Sequence, residues 1–280
     1  MPGLATQVER YSVVIAIGGV PVRVNTADAD FLAMLEERYA GFVIAETGAE
    51  SGAEFDFDID LAAPAFADPE AEVSVTHRAG RWFMQRGDFR AEWDPAARRG
   101  WIRQTANPYS IDAVLRIVHT LVLARQGGFL LHSASAIRNG KAFLFAGVSG
   151  AGKTTISRLA PTDATLLTDE ISYVRRVQIS TKSEGYVAFG TPFTGELAKL
   201  GENTSAPVAA LYLLAQGPEN RIDPVAAADA GRELLANMLF FAEDQEMVHC
   251  VFQAACDFVH RVPVYRLTFL PDARVWEMIG

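Results

Sequence analysis

The eight residues Gly147-Val148-Ser149-Gly150-Ala151-Gly152-Lys153-Thr154 constrain this chain more than any others. They read G-x-x-x-x-G-K-T, the P-loop pattern, which binds phosphate only when a strand precedes it and a helix follows. Both are expected here. Lys141 to Ala146 is a compact apolar run suited to a buried strand, and Thr155 to Ala160 suits a helix. Glycines let backbone N–H groups converge on one point that side chains would otherwise block. The helix directs its free N–H groups and positive dipole end at the same point. Lys153 adds a full charge for the β- and γ-phosphates, and the Thr154 hydroxyl can ligate magnesium. The nucleotide-binding candidates are therefore Gly147, Ser149, Gly150, Ala151, Gly152, Lys153, Thr154 and Thr155.

The rest of the composition narrows the function classes. Half of the 280 residues are hydrophobic, enough for a substantial core in one large or two ordinary domains. The longest apolar stretches, Phe143 to Val148 and Ala209 to Ala215, are far too short to span a bilayer. Met1 to Arg10 has no apolar leader core, so a cytoplasmic protein without a transmembrane segment is expected. The net charge of −9 argues against nucleic acid as a partner. Cys250 and Cys256 fit neither a zinc knuckle nor a redox pair and read as small packed side chains.

Periodicity sketches a β-rich first part, residues 1–106, and an α/β second part, residues 107–280. Gly18-Gly19 sits between Tyr11 to Ile17 and Pro21 to Val24 and reads as a hairpin. Ala27 to Tyr39 has helical spacing. Phe55 to Leu61 alternates strictly, so it predicts a strand whose acidic residues line a solvated face rather than hold a metal. From Glu72 to Gln104 short β-like runs alternate with turn signals, an antiparallel meander whose Trp82, Phe83, Phe89, Trp93 and Trp101 pack a core. A helix is expected from about Ser110 to Arg125, stopped by Gly127-Gly128. Further on, the pattern predicts a strand at Phe129 to Ile137, a hairpin of Ile171 to Ile179 with Tyr186 to Phe189, and strands at Pro207 to Leu214 and Val264 to Phe269. It predicts helices at Ala226 to Phe241, Gln245 to His260 and Asp272 to Ile279, and the most linker-like stretch is Gly195 to Ala206.

Thr165 to Thr168 reads as a strand ending in Asp169 and Glu170, sixteen and seventeen residues beyond Lys153. A phosphotransferase needs an acidic group near the metal and one to take the proton of the attacking hydroxyl. A strand end beside the phosphate loop suits both tasks. Asp169 and Glu170 are thus metal candidates together with Thr154, and Asp169 is also a catalytic candidate with Lys153. His132 precedes the loop by fifteen residues on an apolar run, where a lone histidine is ordinarily a packed core residue.

The stretch from Leu130 to Tyr173 resembles the catalytic domain of the HPr kinase/phosphorylase family. Three features carry the likeness in order and spacing: His132-Ser133-Ala134, the loop Gly147 to Thr154, and the pair Asp169-Glu170. It covers roughly residues 129 to 280. The resemblance implies an HPr kinase C-terminal-like fold related to phosphoenolpyruvate carboxykinase. It also implies that Asp169 takes the acceptor's proton, that Glu170 assists with metal or charge, and that His132 lies near the transferred phosphate. Glu170 stands where that family usually has Asp, and Ala188 to Glu196 lacks its glutamate-arginine-glycine signature. The likeness is therefore to divergent members that act on acceptors other than HPr. Glu196 is a lesser candidate for metal or substrate. Arg175, Arg176, Lys182 and Lys199 are candidates for transition-state charge, although a surface role explains each more simply.

Taken together, these readings predict an ATP- and magnesium- or manganese-dependent kinase. Its acceptor is a hydroxyl on a peptide or protein serine, a lipid such as a ceramide-like molecule, or a small alcohol. Self-association is left open. The competing expectation is a nucleotide-dependent switch without kinase turnover.

Overall fold

The computed structural model describes residues 10–45, 53–63, 71–180, 183–197 and 200–280. Lys182, Lys199 and nearly all of Met1 to Arg10 lie outside them. The chain divides into two compact units, Met1–Leu115 and Arg116–Gly280.

In the first unit the order is β1 (Tyr11–Ile17), β2 (Val20–Thr26), α1 (Ala29–Arg38), β3 (Val43–Ile44), β4 (Phe55–Leu61), β5 (Ser74–Arg78), β6 (Arg81–Arg86), β7 (Phe89–Asp94) and β8 (Arg99–Gln104). Among the described residues these eight strands form one sheet, ordered β3-β1-β2-β4-β8-β7-β6-β5. Gly18 and Gly19 both take positive φ between Ile17 and Val20, the backbone a two-residue hairpin turn demands. The meander of β5 to β8 is antiparallel as its turn signals predict. β4 runs parallel to both β2 and β8, a pairing that local pattern does not encode.

On β4 the alternation behaves as expected. Phe55, Phe57 and Ile59 are buried, while Asp56 pairs with Arg23 at 3.1 Å and Asp58 with Arg10 at 2.8 Å. The aromatic expectation needs correcting for two residues. Trp82, Phe89 and Trp93 are buried, but Phe83 and Trp101 stand on the exposed face. Phe83 follows Trp82 directly on one strand, and consecutive side chains on a strand point to opposite faces.

Helix α2 (Pro108–Arg125) starts two residues earlier than its periodicity indicates. Pro108 occupies the first turn, and Asn107 Oδ1 accepts the N–H groups of Tyr109 and Ser110. The division between the units falls within it.

The second unit continues with β9 (Phe129–Arg138), β10 (Lys141–Ala146), α3 (Lys153–Arg158), β11 (Thr165–Thr168), β12 (Ile171–Ser180), β13 (Ser183–Phe189), β14 (Ser205–Gln216), β15 (Arg221–Pro224), α4 (Ala227–Asn237), β16 (Met238–Leu239), α5 (Gln245–Arg261) and β17 (Val264–Phe269), closing with a 3₁₀ turn at Ala273–Met278. The fold is mixed α/β and rich in strands. Five strands close on themselves: β10, β9, β12, β13 and β14 pair in sequence, and β14 returns to β10 in parallel. β17 extends β14, also in parallel, and β15 follows.

Both faces of β10 are covered, which is why its sequence is apolar throughout rather than alternating. Ala142, Leu144 and Ala146 enter one core with α4 and α5, while Phe143 and Phe145 enter another with α3 and Trp276. The helix expected to reach Phe241 stops at Asn237. Met238 and Leu239 pair with Leu131 and Leu130 instead, so an apolar run that reads as helix is drawn into the sheet by an open edge of β9. Gly195 to Ala206 is no linker. Glu202 N donates to Leu166 O, Gly190 N donates to Thr204 O, and β14 already begins at Ser205. Among the described residues no helix is long and apolar enough to cross a membrane.

Candidate functional site

The long strand β9 assembles the site. Along one edge it pairs with β12 as far as His132, opposite Ile171, and then with β11 from Ser135, opposite Thr168. The two residues between Thr168 and Ile171 are Asp169 and Glu170, which leave the ladder there. On the other edge β10 ends with Ala146 opposite Ser133, and the chain turns into the phosphate loop. The same stretch of β9 therefore brings the histidine, the carboxylate pair and the loop to one place. Thr168 fixes the carboxylate turn. Its Oγ1 accepts the N–H groups of Glu170 and Ile171 and donates to Phe193 O.

A cavity of about 600 Å³ results. His132, Ser149, Gly150, Gly152, Lys153, Thr154, Thr155, Asp169, Glu170, Thr194, Gly195 and Glu196 all line it, without one large apolar side chain. Of the residues predicted from sequence, Gly147 and Ala151 lie outside this lining. They pack behind the loop, where Ala151 is buried and a Cβ on Gly147 would come within 2.7 Å of Ala151 Cβ. Gly150 and Gly152 take φ of +79° and +112°. A Cβ on Gly152 would lie 2.6 Å from Phe269 Cζ, so both dihedral and space demand glycine there. The helix that follows is six residues long and begins two residues earlier than its sequence implies, and Trp276 Nε1 pins it by donating to Ile156 O at 3.0 Å.

The polar groups of the cavity are coupled. Lys153 Nζ donates to Gly147 O at 2.8 Å, arching back over its own loop. Burial draws the Lys153 ammonium below the ordinary lysine range, against the opposing pull of Glu170 and Glu196. Thr154 Oγ1 donates to Glu196 Oε2 at 3.2 Å. Asp169, only 4% exposed, accepts Gly195 N–H at Oδ1 and Leu197 N–H at Oδ2, each at 2.9 Å. It thereby anchors the loop that carries Glu196. Burial first, then Lys153 and Arg116, hold His132 below the ordinary imidazole range, so it is neutral near pH 7.

Arg116 was not foreseen. Its Nη2 lies 3.9 Å from Glu170 Oε2, and its guanidinium stacks over Phe193, 4.8 Å from the ring centroid. The available signal was a charge inside the apolar run Val114 to Val118. Arg175 lies over the Phe189 ring, and Arg176 pairs with Glu184, neither among the cavity-lining residues.

The donor set suits a hard cation held mainly through a nucleotide. Thr154, Glu196, Asp169 and Glu170 offer oxygen, and magnesium takes one or two carboxylates plus substrate phosphates rather than a protein cage. Among the described residues no group of three or more His, Cys, Asp or Glu is arranged to hold a metal by itself.

Residues 103–280 match the family described as SynChlorMet cassette protein ScmC. No curated protein matches the chain.

Proposed function

The chain belongs to the SynChlorMet cassette protein ScmC family, and we propose that its phosphate-loop cavity is the active centre of a kinase resembling the HPr kinase catalytic domain. One observation carries this reading. Lys153 and Thr154 share a single cavity with His132, Asp169 and Glu170, which come from three separate parts of the chain. A loop serving only as a turn has no use for a carboxylate pair and a neutral imidazole across its mouth.

Each residue then has a task. The loop amides from Ser149 to Thr155 and the Lys153 ammonium hold the nucleotide phosphates. Thr154, with Glu196 and the carboxylates, would hold magnesium, which when bound neutralises charge on the phosphates. Asp169 accepts the proton of the acceptor hydroxyl. The acceptor oxygen forms its bond to the γ-phosphorus as the bond to the β-phosphate oxygen breaks, and the nucleoside diphosphate leaves. Neutral His132 contributes a hydrogen bond rather than a charge. Catalysis of this kind is positioning plus charge neutralisation. The polar lining favours a peptide or small-molecule hydroxyl over a lipid.

A second reading rests on Asp169. Both its oxygens already hold backbone N–H groups of the Gly195–Leu197 turn, and Glu196 in that turn touches Thr154. Nucleotide and metal arriving at Thr154 would compete for Glu196 and move the turn, as in a switch protein.

Transfer of label from γ-labelled ATP with magnesium into fractionated protein, peptide, lipid and small-molecule pools separates the two. Label in one pool, lost with Asp169→Asn, supports the kinase and identifies its acceptor class. Nucleotide binding without label in any pool leaves the switch.

A further inference from the structure

Arg116 is a cation whose carboxylate partner, Glu170, is only loosely engaged. It is the only Lys, Arg, Asp or Glu between Asp112 and Arg125 on α2. Its side chain is three-quarters buried, at 25% exposure, and its Nε is buried with no acceptor. The nearest carboxylate oxygen, on Glu170, is 3.9 Å away, too far for a hydrogen bond. Among the described residues the Arg116 side chain therefore makes no hydrogen bond, although a guanidinium carries five N–H donors. Leaving the Nε–H buried and unsatisfied is costly, and native structures keep few such groups without a reason.

Its surroundings indicate what it awaits. The Arg116 Cζ lies over the Phe193 ring, and Thr168 ties Phe193 O to the turn that carries Asp169 and Glu170. Glu170 lines the cavity between two cations, acting on Lys153 while lying beside Arg116. His132, on the cavity wall, senses both Lys153 and Arg116. Arg116 is not itself among the lining residues; its guanidinium lies directly behind Glu170 on the cavity wall, 3.9 Å away, with planar, unused donors that match phosphate oxygens.

We propose that Arg116 binds the terminal phosphate of a nucleoside triphosphate seated in the loop, opposite Lys153. This rests on the nucleotide-site reading above and adds a second cation at the transferred group.

The test compares binding of ADP and of the β,γ-imido analogue of ATP, both with magnesium, to the full chain and to Arg116→Gln and Arg116→Lys. The expected result is a selective loss. Arg116→Gln weakens the triphosphate analogue about tenfold or more, the scale of a charge-assisted contact, and leaves ADP binding unchanged. Retained ADP binding also reports an intact fold. Arg116→Lys keeps the charge but not the fork and shows the same selective loss, smaller; it serves alone should the glutamine variant not fold. Equal weakening of both nucleotides, or of neither, overturns the proposal while leaving the nucleotide site standing. A native chain that binds neither nucleotide removes that site and the proposal with it.

Discussion

Thr154 Oγ1 donates to Glu196 Oε2 across 3.2 Å, joining the phosphate loop to a turn forty-two residues further along the chain. Asp169 holds that turn by its backbone at Gly195 and Leu197. The residue next to Lys153 is thereby linked, through one side chain and one turn, to the carboxylate proposed to take the acceptor's proton.

Glu196→Gln keeps the shape of this link but removes a charge from the metal-facing side. The apparent magnesium affinity at fixed ATP is expected to weaken about tenfold, the lower end of what loss of a supporting metal contact costs. ADP binding without metal should be unchanged. A magnesium titration followed by nucleotide fluorescence checks it, and an unaltered midpoint removes Glu196 from the metal site.

Asp169→Asn has two consequences. The amide NH2 cannot accept, so one of the half-buried Gly195 and Leu197 N–H donors is orphaned, at about 1 kcal/mol of stability. Phosphate transfer should vanish while nucleotide binding persists. Urea unfolding and labelled transfer, measured on one preparation, separate the loop-holding role from the chemical one.

Gly152→Ala meets two obstacles, a φ of +112° and the Phe269 ring. Adding Phe269→Ala relieves only the second. The double variant is therefore expected to stay less stable than Phe269→Ala alone by about 1–2 kcal/mol, the cost of a left-handed residue. Equal melting temperatures for those two would mean that the dihedral is not limiting.

His119 contributes an acid-sensitive component to stability. Burial, helped by Arg175, lowers it to about 3, and its Nδ1 lies 3.2 Å from the Tyr173 hydroxyl. The unfolded imidazole, near 6.5, binds the proton more readily than the folded one. Stability is therefore complete above about pH 6.5 and falls as pH drops toward 3, by up to about 1.4 kcal/mol per pH unit. His132, also lowered, adds in the same direction. His119→Leu should flatten much of this slope between pH 6 and pH 4, read by chemical unfolding at each pH.

Several elements were legible from residue pattern because local rules decide them. The Gly18-Gly19 hairpin, the alternation of β4, the meander of β5 to β8 and the stop at Gly127 all depend on neighbours within a few positions. Misreadings fell where a distant partner overrode the pattern. Met238 and Leu239 became strand because β9 offered an edge. Phe83 and Trp101 turned outward because register set their face. Arg116 and Glu196 carry little meaning as single letters. One is a charge in an apolar helix, the other an acid in an irregular loop.

The sequence by itself determined the glycine-rich loop, its flanking strand, and the types of chemical group available to it. These follow from covalent constraints: glycine where φ is positive, apolar runs where both faces are covered, and acids at a strand end. Tertiary structure alone decided that β9 would carry four different partners along its length. That arrangement takes Asp169 and Glu170 out of the strand ladder beside His132 and the loop, and Arg116 lies 3.9 Å from Glu170. Such convergence depends on register between strands far apart in sequence, set by cores that many residues build together, and no local pattern records it.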